Sequence, residues 1–171
     1  MPEISKLIQV NSATADGSST TLKVTGIDSD NVYLLTLTGF KVSTDQDIFL
    51  RVTKSGTAQS DSNYDRTDKT FREDSSYNTN THTGQQAITW EYLGDANNEM
   101  GNAIIHLFQF NSASEYSWFT LESVATDDAN PNIKGKQGGA VHRVASASDG
   151  VQLHVASGNI SAGTMTLYKM V

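Results

Sequence analysis

Short apolar runs with period-two alternation recur along the whole chain, and no stretch of eleven or more residues carries an i, i+3, i+4, i+7 apolar pattern. That pairing constrains the fold more than any other feature. Thr21 to Ile27 sets Leu22 and Val24 against Thr21, Lys23 and Thr25. Asp47 to Lys54 puts Ile48, Leu50 and Val52 on one face and Phe49, Arg51 and Thr53 on the other. Ala87 to Leu93 groups Ile88, Trp90 and Tyr92. Lys6 to Val10, Val32 to Phe40, Ala103 to Phe110, Tyr116 to Thr126, Ala140 to Ala145, Val151 to Ala156 and Thr164 to Met170 complete the set. Half-buried strands need such runs of β-branched and aromatic residues. The best place for a short helix is Asp95 to Gly101.

The connections carry turn chemistry, as in Asp28-Ser29-Asp30-Asn31, Asp95-Ala96-Asn97-Asn98 and Asn111-Ser112-Ala113-Ser114. Ser148-Asp149-Gly150 reads as a hairpin turn. About ten short strands with turns every 8–12 residues imply an antiparallel β-sandwich, jelly-roll-like, of about eight to ten strands. No linker or repeat divides residues 1–171, so one domain is expected.

Composition removes other classes. Ser (19), Thr (19), Asn (12) and Gly (13) make up 63 of 171 residues, while Glu (6), Lys (8) and Arg (4) are too few to coat helices. Cysteine is absent, which excludes a disulfide scaffold or a zinc finger. The net charge is −7. Its nearest approaches to a basic cluster are Lys134/Lys136 and Arg66/Lys69/Arg72, too small a footprint for nucleic acid. No run approaches a membrane span, and Met1 to Lys6 lacks the apolar segment of a signal peptide.

Ser55 to Gln86 is the exception to the apolar pattern: 32 residues whose only large apolar groups are Tyr64, Phe71 and Tyr77. It reads as a pair of short polar strands on a sheet edge, anchored by those aromatics, with a long functional loop as the alternative.

The chemistry-bearing residues are dispersed. His82, His106, His142 and His154 show no i, i+2 or i, i+4 pair, so no metal site is expected. Asp28-Ser29-Asp30 and Asp127-Asp128 lack the rest of a calcium loop and read as turn formers. Glu91 and Glu122 lie in strands and alternate with apolar neighbours, which turns both toward water rather than toward a sugar-hydrolysing cleft. No nucleophile elbow, phosphate loop or dinucleotide fingerprint occurs, and neither catalysis nor a cofactor is expected. Trp90 reads as core. Tyr116 and Trp118 are candidates for a ligand platform.

Ala103 to Phe110 is apolar on both faces, with Ile104, His106, Phe108 and Phe110 on one side and Ile105 and Leu107 on the other. A sandwich strand ordinarily has one wet face. A covering neighbour is expected, so Ile104, Ile105, Leu107, Phe108 and Phe110 are the candidate subunit interface of a homo-oligomer, a trimer among the options.

The ending Gly158-Asn159-Ile160-Ser161-Ala162-Gly163-Thr164-Met165-Thr166-Leu167-Tyr168 resembles a recurring close of phage structural proteins, G-x-I-x-x-G-x-x-x-L-Y. Asn31 to Phe40 and Asp47 to Gly56, followed by a polar stretch holding Tyr64, are similar to the core of the same group. The group comprises small jelly-roll domains in virions of tailed phages, especially marine ones, as head decoration or cement proteins and as tail-fibre or tail-tip domains. The resemblance implies a non-enzymatic virion protein whose partner is the major capsid protein or another virion protein, with a host-surface glycan as the tail-fibre alternative. It carries no catalytic residues. A chain beginning at Met1 without a stalk fits the capsid surface better than the tail.

Overall fold

The computed structural model describes residues 6–74, 76–126 and 133–171. Met1–Ser5 and the Asp127-Asp128 pair lie outside the described residues. Among the described residues thirteen strands run in chain order: β1 (Leu7–Thr14), β2 (Thr21–Thr25), β3 (Tyr33–Val42), β4 (Gln46–Lys54), β5 (Thr57–Ala58), β6 (Tyr64–Arg72), β7 (Tyr77–Gln85), β8 (Ile88–Leu93), β9 (Gly101–Phe108), β10 (Ser117–Thr126), β11 (Ile133–His142), β12 (Gly150–Val155) and β13 (Ile160–Met170). No helix forms among the described residues; the expected helix at Asp95 to Gly101 is a turn that leads into β9 at Gly101, with Glu99 N donating to Ala96 O at 3.0 Å.

The strands make two antiparallel sheets packed face to face, an all-β sandwich. The large sheet has the order β1-β13-β3-β9-β10-β11-β6-β7. The small sheet has the order β2-β12-β4-β5, with β8 also on β4. The core between them is aliphatic, with Leu35, Leu37, Ile105, Leu107, Leu121, Met165 and Leu167 facing Val24, Ile48, Leu50, Val52, Val151 and Leu153. Two edge-to-face aromatic pairs join it: Phe40 with Trp90 at 5.8 Å and Phe110 with Phe119 at 5.0 Å.

The polar segment 55–86 supplies three of the strands. β6 and β7 form a hairpin on the edge of the large sheet, in line with the expected pair of polar edge strands. The anchoring differs from expectation. Tyr64 is fully buried, its hydroxyl accepting from Val52 N at 3.1 Å and donating to Gln59 O at 2.9 Å. Phe71 and Tyr77 are a cross-strand pair on the solvent side, exposed by 48% and 63%.

Ser148-Asp149-Gly150 is not a hairpin turn, because β11 and β12 belong to different sheets. Its Asp149 ties the crossing to the small sheet, accepting from Thr53 Oγ1 at 2.6 Å and Gly56 N at 2.8 Å. Turn residues report that the chain changes direction, and pairing partners are chosen elsewhere.

Candidate functional site

The two faces of the large sheet differ in a way that sorts the candidates. On β9 the odd residues point inward and the even ones outward. Ile105 and Leu107 are core residues, 1% and 0% exposed, so they cannot touch a partner. Phe110 is also buried. Gln109 adopts φ 59°, which breaks the alternation and swings Phe110 inward onto Phe119. Ile104 (48% exposed) and Phe108 (half-buried) remain as surface members of the expected interface.

Register fixes their neighbours. Ile104 lies between Thr36 and Glu122, His106 between Leu34 and Thr120, and Phe108 beside Trp118. Val124 sits opposite Asn102 and is half exposed. Ile104 and Val124 share a shallow depression of about 430 Å³ with Thr36, Thr38 and Asn102. Glu122 is the one charged outward side chain between Leu34 and Thr38, Asn102 and Phe108, and Trp118 and Val124. It accepts from Gln137 Nε2 at 3.0 Å.

Trp118 also walls a second groove of about 370 Å³ on this face, with Asp65, Thr67, Thr81, Thr83 and Gly139 around it. A glycine at 139 leaves the floor open, since no side chain rises between β10 and β6 there. Tyr116 is 42% exposed but does not line the groove. The expected two-ring platform is thus a single indole.

Glu91 departs furthest from expectation. It does not face water; it is 1% exposed. The cause is a β-bulge: Thr89 pairs with Phe49 and Glu91 with Ile48, leaving Trp90 as the extra residue. An extra residue shifts the phase by one, so Trp90 and Glu91 both turn inward. Glu91 Oε2 accepts from Ser123 Oγ at 2.9 Å, and Oε1 lies 3.5 Å from both Lys134 Nζ and Lys136 Nζ. Lys136 also donates to Trp90 O at 2.9 Å. Burial pushes its ammonium below the usual lysine range, against the pull of Glu91.

These groups belong to a polar cleft of about 260 Å³. The small sheet is narrower than the large one and stops at β8, so the inner faces of β11, β6 and β7 overhang it. The uncovered inner positions are polar: Lys134 and Lys136 on β11, Arg66, Asp68, Thr70 and Arg72 on β6, Asn78, Asn80 and His82 on β7. Arg66 Nη1 lies 3.1 Å from Asp68 Oδ2 and donates to Thr89 O at 2.7 Å. Asn80 Nδ2 donates to Asp68 Oδ1 at 2.8 Å. The two small basic clusters of the sequence therefore meet, with Lys134 opposite Arg72 and Lys136 opposite Thr70. The i, i+2 spacing of Lys134 and Lys136 and the i, i+6 spacing of Arg66 and Arg72 put each pair on one strand face, while Lys69 falls on the other; the pairing of β11 with β6 had no signal in the sequence.

Glu91 and Glu122 lie on opposite sides of the large sheet and do not converge. The histidines also stay apart. His142 stacks on Tyr64 at 4.5 Å and meets Asp61 Oδ1 at 3.0 Å. His154 stacks on Phe49 at 5.1 Å, and His106 reaches Thr120 Oγ1 at 3.4 Å. Asp28 is held by Lys169 Nζ at 2.8 Å and Tyr33 Oη at 2.8 Å, which pull its carboxyl down to about 2. Among the described residues one carboxylate trio comes together, Asp45, Asp95 and Glu99. Its oxygens are engaged locally, Asp45 by Asp95 N and Glu99 by Ala96 N.

Comparison of the chain with family models, curated proteins and solved structures gives no match.

Proposed function

We propose that this chain is a non-enzymatic structural protein of a phage virion, a decoration or cement protein docked on the outer surface of the capsid. The observation that carries the reading is the outward face of β3, β9 and β10, where Ile104, Val124 and Trp118 are each about half exposed and Glu122 is the one charge. A protein of net charge −7 has acidic side chains to spare, yet this face carries one of them, Glu122, among apolar and uncharged polar side chains. Apolar patches on a sheet face mark contact surfaces. The resemblance of the Gly158–Tyr168 ending to phage structural proteins supplies the biological setting. The mechanism is adhesive: the face buries against the shell, while the polar β6–β7 hairpin stays in water.

The test is co-sedimentation with capsids assembled from the same phage's major capsid protein alone. The wild-type chain is expected to pellet with the shells, and the Ile104→Asp/Val124→Asp double variant to stay in the supernatant with its melting temperature retained. Equal pelleting of both, or of neither, overturns the reading. Light scattering at micromolar concentration separates a self-associated trimer from a monomer awaiting its shell.

The Trp118 groove favours one second reading, a tail-fibre or tail-tip carbohydrate-binding module. An indole beside threonine hydroxyls and a carboxylate suits a sugar ring. Glycan binding lost in Trp118→Ala supports it.

A further inference from the structure

The inner cleft is a separate feature from the outer face and rests on neither role proposed above. Four of the chain's twelve Lys and Arg residues, Arg66, Arg72, Lys134 and Lys136, line it. Two carboxylates of the lining, Asp47 and Glu91, answer them, and Asp68 pairs with Arg66 from outside the lining. Asp74, which feels Arg72, lies at the hairpin tip outside the lining. In a chain of net charge −7, this is a local excess of positive charge.

The overhang explains why these positions are polar but not why their charges are buried. A solvated lip would carry exposed lysines. Here the side chains of Lys134 and Lys136 are 4% and 6% exposed, and those of Glu91 and Asp68 are 2% and 0% exposed. Taking such ions out of water costs several kcal/mol each, and hydrophobic replacements are often as stable. Buried, mutually fixed charges opening into a cleft mark a candidate binding site. The rims add hydrogen-bonding groups that suit hydroxyls: Asn78, Asn80 and Thr89, with the Tyr92 ring 5.1 Å from Lys134 Nζ. The volume, about 260 Å³, is below that of drug-sized pockets and fits a single ring.

We propose that this cleft binds a small, hydroxyl-rich molecule carrying an oxyanion, an acidic monosaccharide being the class that fits. The oxyanion sits against Arg72 and Lys134, and the hydroxyls meet the Asn and Thr side chains. The ring packs on Tyr92. Glu91 holds the two lysines in place as a positioning residue.

The experiment is titration of the full chain with sodium glucuronate, glucose and inorganic phosphate at matched ionic strength, followed by melting temperature and amide NMR shifts. Glucuronate is expected to raise the melting temperature saturably and to shift amides of β6, β8 and β11, while glucose does neither. Arg72→Gln, at the half-buried rim, is expected to fold and to bind glucuronate at least tenfold more weakly; Trp118→Ala, on the other side of the sheet, binds it as the wild type does. No saturable response to glucuronate, an equal response in Arg72→Gln, or a response to phosphate alone overturns the proposal.

Discussion

Glu91 and Lys136 belong to different sheets, and the carboxylate of one lies 3.5 Å from the ammonium of the other with both nearly sealed from water. The pair closes the sandwich at the end where its aliphatic core runs out. Because Lys134 shares the same oxygen, one carboxylate answers two buried cations.

That arrangement makes Glu91 a sensitive position. Glu91→Ala removes the carboxylate that both buried lysines share, and loss of one partner of a buried pair costs about 3–5 kcal/mol. Glu91→Gln keeps the acceptor for Ser123 and is expected to cost less. Urea denaturation of both variants checks the order.

Ile104 and Ile105 are adjacent on one strand and face opposite ways. Ile105→Ala opens a core cavity and is expected to cost about 2–5 kcal/mol. Ile104→Ala is expected to stay within about 0.5 kcal/mol, as surface changes do. Thermal melts of the two variants under identical conditions test the face assignment directly.

Gly138 and Gly139 form a similar pair on β11. A Cβ at Gly138 would clash with Thr67 O and lie 2.5 Å from Asp68 Cβ, so the β6 backbone would have to move. Gly138→Ala is expected to destabilise by about 1–3 kcal/mol, the range for overpacking. At Gly139 the nearest atom is Phe119 O at 3.4 Å, and Gly139→Ala is expected to fold normally while raising the floor of the Trp118 groove. Urea midpoints distinguish the two.

His154 gives the protein an acid-sensitive step. Burial, then the nearby Arg51 charge, lowers its imidazole from 6.5 to about 4. The unfolded chain therefore takes up a proton between pH 6.5 and 4 that the folded chain refuses, and stability falls as pH drops through that window. The loss is on the order of 1–2 kcal/mol once solvent screening of this half-buried ring is allowed for. His154→Gln is expected to flatten stability over that window. A separate loss below pH 3.8, where hydrogen bonds hold Asp16 and Asp28 down to about 2, should persist. Chemical denaturation from pH 7 to 3 reads both.

Strand-forming segments were legible because alternation is local: Leu22 and Val24, or Ile48, Leu50 and Val52, declare their faces within a few residues. The polar hairpin was legible for the same reason, through the spacing of its aromatics. The same rule put Ile104 and Ile105 on opposite faces of one strand, without telling which face meets water. What failed was phase after an irregularity. A bulge at Trp90 reversed Glu91, and a left-handed residue at Gln109 reversed Phe110. Each depends on the register of a partner strand or on one backbone angle, and neither leaves a periodic trace.

By itself, then, the amino-acid sequence determined an all-β sandwich, the position of most of its strands and one strand apolar on both faces, since these rest on short-range periodicity and turn chemistry. Tertiary structure decided which strands pair, that the small sheet stops short of β6 and β7, and that Lys134, Lys136, Arg66 and Arg72 converge around Glu91. Residues up to 70 positions apart meet there only because β11 pairs with β6 and β8 packs beneath them. Burial and charge proximity are properties of that arrangement and of no single segment.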